Sequence, residues 1–203
     1  MFNNFIQVVP TFSEQECKLI IAEAEHQGKT RDIWEQATVY DSDGFSDLES
    51  DIRSNERLAI DDQFVVFPMV VERLNEAYQL YSRYLLASMP KEQLRMPMPM
   101  APGSKSQMEV VGLLRYKDGQ KYDWHSDASY RVEDESHDRV ISVVTYLNSD
   151  FEGGKTEFID GARKPKPGNS LFFPSNWVFA HHAQPVTSGT KYALVTWYRI
   201  TDA

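Results

Sequence analysis

Two places in this chain carry side chains able to hold a metal. His125-Ser126-Asp127 sets an imidazole and a carboxylate two residues apart. On a strand, such residues share a face and can grip one ion together. An adjacent pair, His181-His182, follows 56 residues after His125. One imidazole from that pair would complete a set of two histidines and one carboxylate. Such a set leaves divalent iron with open coordination positions for exogenous ligands. Taken alone, an H-x-D match is weak, and its bland reading is an ordinary surface or core pair. Lys191 comes ten residues after His181, at the start of an apolar run. A cation buried beside the metal could pair with the far carboxylate of a dicarboxylate cosubstrate. Tyr116 and Tyr146 offer hydroxyl donors to the same group.

These residues need a scaffold that joins distant segments. The first half reads helical. Ser13 with Glu16 is a capping-box pattern after Pro10, and Gly28 is a natural stop. Val70, Val71, Leu74, Ala77, Tyr78, Tyr81 and Leu85 recur at helical steps, predicting a second helix over 67–89 that Pro90 closes. Between them lies an acidic stretch, Asp41, Asp43, Asp47, Glu49 and Asp51. Its Gly44 stands at the fourth position of a would-be calcium loop rather than the sixth, so it reads as a polar loop. Met96-Pro-Met-Pro-Met100 and Pro102-Gly103-Ser104 separate the halves.

The period then changes. Runs at 109–116, 140–147, 156–159, 170–173 and 192–200 are β-rich and divided by Gly-Gly, Pro-Gly-Asn and Ser-Gly-Thr turns. The fold expected is mainly β with supporting N-terminal helices, around a jelly-roll core. Residues 1–203 read as one domain: 1–107 for helical support and substrate loops, 108–203 for the core.

Composition narrows the rest. Lys and Arg number 21 against 30 Asp and Glu, for a net charge of −9, which disfavours a general nucleic-acid or membrane-surface binder. A single cysteine precludes an internal disulfide. The longest apolar stretch, 64–71, is far short of a membrane span, and residues 1–10 lack the marks of a secretion signal. The expectation is a cytoplasmic protein. Its oligomeric state is not legible.

The second half resembles the prolyl 4-hydroxylase branch of the Fe(II)- and 2-oxoglutarate-dependent dioxygenases, of bacterial or viral type. The resemblance is a series in order. Tyr116 precedes Tyr122-Asp-Trp-His125-Ser-Asp127, similar to Y-x-x-H-x-D. RVISVVTYLN follows at 139–148, then Gly153-Gly154-Lys-Thr156-Glu-Phe158 and Pro167-Gly168 with Leu171 and Phe173. His181, four residues before Pro185-Val186, and Gly189-Thr-Lys191-Tyr192 close the series. The resemblance implies a double-stranded β-helix with Fe(II) on His125, Asp127 and His181. It places Lys191 on the C5 carboxylate of 2-oxoglutarate, with Tyr116 and Tyr146 nearby. Ser142 and Trp197 line the same pocket, and Arg139 is a candidate substrate contact. His182 falls on a variable position.

The implied chemistry uses O2 and 2-oxoglutarate, with ascorbate as an accessory, and releases succinate and CO2 as it hydroxylates a C–H bond. A prolyl residue in a peptide or protein is the leading substrate. A free amino acid or small metabolite is the alternative within that chemistry. A cupin-like metal-binding module without turnover is the alternative outside it. Zinc hydrolysis is disfavoured because neither H-E-x-x-H nor C-x-x-C occurs. Arg163, Lys164 and Lys166 read as a solvated turn.

Overall fold

A computed structural model describes residues 4–40, 46–47, 51–89, 105–128 and 139–201. The acidic stretch between Asp41 and Ser50, apart from positions 46–47, lies outside the described residues, as do the Met-Pro segment and residues 129–138.

The first part runs β1 (Gln7–Pro10), α1 (Glu14–Arg31), β2 (Glu35–Gln36), β3 (Val39–Tyr40), β4 (Ser46–Asp47), β5 (Glu56–Ile60) and α2 (Phe67–Ser88). Then come β6 (Lys105–Met108), β7 (Val111–Tyr116), β8 (Tyr122–His125), β9 (Arg139–Tyr146), β10 (Phe151–Gly153) and β11 (Thr156–Phe158). The chain continues with β12 (Gly161–Arg163), β13 (Asn169–Pro174), β14 (His181–Ala183), β15 (Val186–Gly189) and β16 (Lys191–Thr201).

The major sheet has the order β1-β13-β9-β16-β7-β5-β2, with β6 on β16, and a smaller sheet has the order β12-β11-β14-β8. All pairings within these sheets are antiparallel. Consecutive strands alternate between the two sheets along much of 111–201. This is the double-stranded β-helix expected from the sequence. One core, containing Leu114, Tyr146, Phe158, Leu171, Phe173 and Val186, has members from both sheets. A second, larger core packs Ile20, Ala24, Val70, Leu74 and Tyr81 of the helices on Leu58, Leu113, Ile141, Phe172 and Leu194 of the major sheet.

The helices are set by local chemistry. Ser13 caps α1 with the reciprocal Glu16 bond that its spacing predicts. The predicted stop at Gly28 does not occur. The helix runs on to Arg31 and ends at Asp32, whose φ is 52°. Gly28 serves space instead, since a Cβ there would strike the Trp34 indole. The second helix has no side-chain cap of its own. Glu23 of α1 supplies one, accepting Val65 N–H at 2.5 Å and Val66 N–H at 3.0 Å. A carboxylate there also faces the positive end of the helix. Tyr81 and Tyr198 complete the docking, donating to Phe5 O at 2.8 Å and Leu74 O at 3.0 Å.

Removing the shared cap by Glu23→Ala is expected to cost about 1 kcal/mol. Urea unfolding should show a lower midpoint at unchanged slope.

Candidate functional site

Strand pairing creates the site. His181 of β14 stands opposite His125 of β8, so two imidazoles 56 residues apart in sequence lie with ring centroids 4.3 Å apart. Asp127 follows β8 directly. Its two carboxylate oxygens lie 3.6 Å from His125 Nε2 and 3.7 Å from His181 Nε2. One ligand atom from each of the three residues falls within 4.8 Å of the others. Each histidine directs its other nitrogen to main chain: His125 Nδ1 to Asp123 O at 2.8 Å, His181 Nδ1 to Phe179 O at 3.2 Å. That fixes the rings and leaves both Nε2 atoms toward the carboxylate, as metal-binding histidines require. The donor set fits a divalent iron.

The surroundings favour neutral imidazole and ionised carboxylate. Burial pushes His125 down to about 3, with His181 adding to the effect against the pull of Asp127. Burial works upward on Asp127, but the two histidines and hydrogen bonds from Ser142 and Trp197 hold it below the usual carboxylate value. Metal ligands must be deprotonated, so this is the state that binds. Ser142 also meets Ser175 Oγ at 2.8 Å. Ser175 O in turn accepts from Ser126 Oγ at 3.1 Å and Ala128 N at 2.9 Å, pinning the turn that carries Asp127.

Alternation sorts the adjacent histidines. His181 is buried, while His182 reaches Glu157 Oε2 at 2.8 Å and packs near the half-exposed Trp124.

Lys191 is 2% exposed and pairs in register with Tyr116. Its ammonium donates to Gly154 O at 2.7 Å and lies 4.4 Å from the Tyr146 ring centroid and 5.0 Å from that of Tyr116. Gly154, at φ +59°, can bring its carbonyl here because a Cβ would press on Phe151, Val186 and the Lys191 stem. Tyr146 O–H lies 2.9 Å from Thr156 Oγ1 and 3.1 Å from Gly154 O. Burial raises both tyrosines, Tyr116 to about 12. Burial, helped by Lys164, pushes Lys191 down to about 7. Lys164 is not a merely solvated lysine, since it donates to Phe151 O at 2.7 Å.

Arg139 is engaged by protein. It grips Glu109 through two bonds of 2.9 and 2.8 Å and lies 3.7 Å over the Trp197 ring. Ser175 and Arg53 are site neighbours that sequence reasoning missed. Both act through tertiary contacts that no spacing encodes. Thr156 lay unmarked inside the Gly-Gly-x-Thr motif.

Residues 111–199 match the model of the 2OG-Fe(II) oxygenase superfamily. The probable prolyl 4-hydroxylase 9 of Arabidopsis thaliana is 32% identical over 124 residues, which are 48% of this chain and 43% of the plant protein. The chain thus spans under half the length of that relative. Among solved structures, the viral collagen prolyl hydroxylase of Paramecium bursaria Chlorella virus-1, in its 2OG complex, aligns over 97% of both chains with TM-score 0.64 and 22% identity. A Trichoplax adhaerens prolyl hydroxylase, solved with a hypoxia inducible factor peptide fragment, aligns over 96% of this chain and 83% of its own, with TM-score 0.67 and 14% identity. These two share the fold. The resemblance to the prolyl 4-hydroxylase-like branch of the 2OG-Fe(II) oxygenases stands, and with it the implied set of Fe(II), 2-oxoglutarate and O2. No helix among the described residues is long and apolar enough to cross a membrane.

Lys191 makes stability depend on pH. The unfolded chain holds this proton up to the ordinary value of 10.5, the folded chain only to about 7. Between those values the unfolded state binds more protons, so stability rises with pH; below about 7 the penalty is present in full. Lys191→Met should therefore be more stable than the parent at pH 7, with the gap closing toward pH 10. Urea titrations across that range measure it.

Proposed function

We propose that this chain is an Fe(II)- and 2-oxoglutarate-dependent dioxygenase that hydroxylates a prolyl residue of a peptide or protein, releasing succinate and CO2. The observation that carries this reading is the convergence of three ligand atoms from His125, Asp127 and His181 in a fold that also buries a lysine, Lys191. His125, Asp127 and His181 would hold the iron. Lys191 would bind the C5 carboxylate of 2-oxoglutarate, with the Tyr116 and Tyr146 rings beside its ammonium.

When bound, iron and 2-oxoglutarate supply the oxidising power, coupling decarboxylation to succinate with reduction of O2. The protein's part is placement and exclusion. Asp123 O and Phe179 O set the two imidazole planes. Ser142 and Trp197 hold the Asp127 carboxylate, so its ionised oxygens stay turned to the histidines. Lys191, freed of water, gains a strong charge-assisted bond when a carboxylate replaces its carbonyl partner. Phe158 and Phe173 pack beside His181 and keep bulk water from that side. The peptide bound by the Trichoplax structural neighbour supports a peptide or protein as substrate.

The test is incubation with Fe(II), ascorbate, 2-oxoglutarate and proline-containing peptides. Succinate above a no-enzyme control, with a peptide gaining the mass of one oxygen, is the expected result. His125→Ala, Asp127→Ala and His181→Ala should abolish both products. Lys191→Met should raise KM for 2-oxoglutarate by about 10- to 100-fold, the worth of one hydrogen bond to a charged group. No succinate from the parent would sink the oxygenase reading. Succinate with peptides unchanged would sink the prolyl substrate alone.

A further inference from the structure

The ring of His125 is held by more than the Asp123 carbonyl. Tyr122 lies nearly parallel to it, with centroids 3.6 Å apart and planes at 14°. The guanidinium carbon of Arg53 stands over the same tyrosine ring, 4.3 Å from its centroid. Arg53 is itself fixed, donating from Nε to Asn55 Oδ1 at 2.9 Å and from Nη1 to Thr38 O at 3.1 Å. Asn55 is fully buried and anchored to Glu56 O at 3.1 Å. Guanidinium, phenol and imidazole thus form a continuous packed series that ends on a candidate metal ligand.

Arg53 is not required to attach its own segment. Main-chain bonds do that: Asp123 N to Ile52 O at 2.8 Å and Ser54 N to Lys121 O at 3.1 Å, with Arg53 and Tyr122 paired in a β-bridge. Ser54 Oγ adds a bond from Lys121 N at 3.0 Å. The guanidinium, held by Asn55 and Thr38, lies over the tyrosine ring, and a cation over an aromatic face is attractive in its own right. The residue lies before strand β5, outside the 111–199 segment that matches the superfamily.

We propose that Arg53 is a positioning residue for the metal centre, clamping Tyr122 against His125 so that the imidazole keeps the plane in which Nε2 can share an ion with Asp127 and His181. This rests on the reading of those three residues as a metal site. Partners that orient ligating histidines are typically worth 10- to 100-fold in metal affinity.

The experiment titrates Co(II) into the purified chain and reads both the dissociation constant and the visible ligand-field spectrum. Far-UV circular dichroism checks the fold of each variant. The parent should bind one Co(II). Arg53→Leu should bind about tenfold or more weakly, with a shifted spectrum. Arg53→Lys, which keeps a cation but loses the fork to Asn55 and Thr38, should fall between. Tyr122→Leu removes the middle layer and should match Arg53→Leu; it carries the test if Arg53→Leu does not fold. Folded variants with parental affinity and spectrum would overturn the positioning role while leaving the metal site intact. A parent that binds no Co(II) would remove the metal site and this inference together.

Discussion

One antiparallel pairing governs this molecule: His181 of β14 opposite His125 of β8, in the smaller sheet. It puts the two imidazoles side by side, and the chain leaving β8 carries Asp127 into the gap within two residues. Because side chains alternate along a strand, a slip of one residue would replace His181 by His182 and turn the buried imidazole outward. The flanking contacts resist that slip. Phe158 sits opposite His181 and Glu157 opposite His182, so the neighbouring strand offers an aromatic floor inside and an acceptor outside.

A second constraint operates at Lys191. Burying Lys191 is costly, and the fold meets that cost only in part, with one carbonyl, a long bond to the Tyr146 hydroxyl at 3.4 Å and two aromatic faces. Buried ionisable groups of this kind are concentrated at functional sites. The local backbone is shaped around this side chain, down to a glycine in the left-handed region whose oxygen is the ammonium's partner.

Much of this was legible from residue order. The Ser13–Glu16 box is a local device, so its spacing told where α1 begins. The β-rich runs and the Gly-Gly, Pro-Gly-Asn and Ser-Gly-Thr turns between them told of sheets, and the ordered motifs told of a double-stranded β-helix. Gly28 misled because glycine marks helix ends through conformational freedom, whereas here it makes room for an indole. Arg53 and Ser175 were silent for a different reason. Their roles arise from partners dozens of residues away, and only pairing of the strands brings them to the ligands. Arg139 shows the reverse case. The resemblance named it as a substrate contact, and the fold adds what sequence did not show, that Glu109 holds its guanidinium.

The way the ligands are recruited has a thermodynamic corollary. No covalent link joins β8 to β14; only main-chain bonds and packing bring their histidines together. An ion shared by both would therefore act as a clasp on the mouth of the barrel, resisting the opening that global unfolding demands. Its hold would grow with the logarithm of free metal, about 2.7 kcal/mol at a hundredfold excess over Kd. Chelation would then loosen the whole sandwich and not merely silence its chemistry.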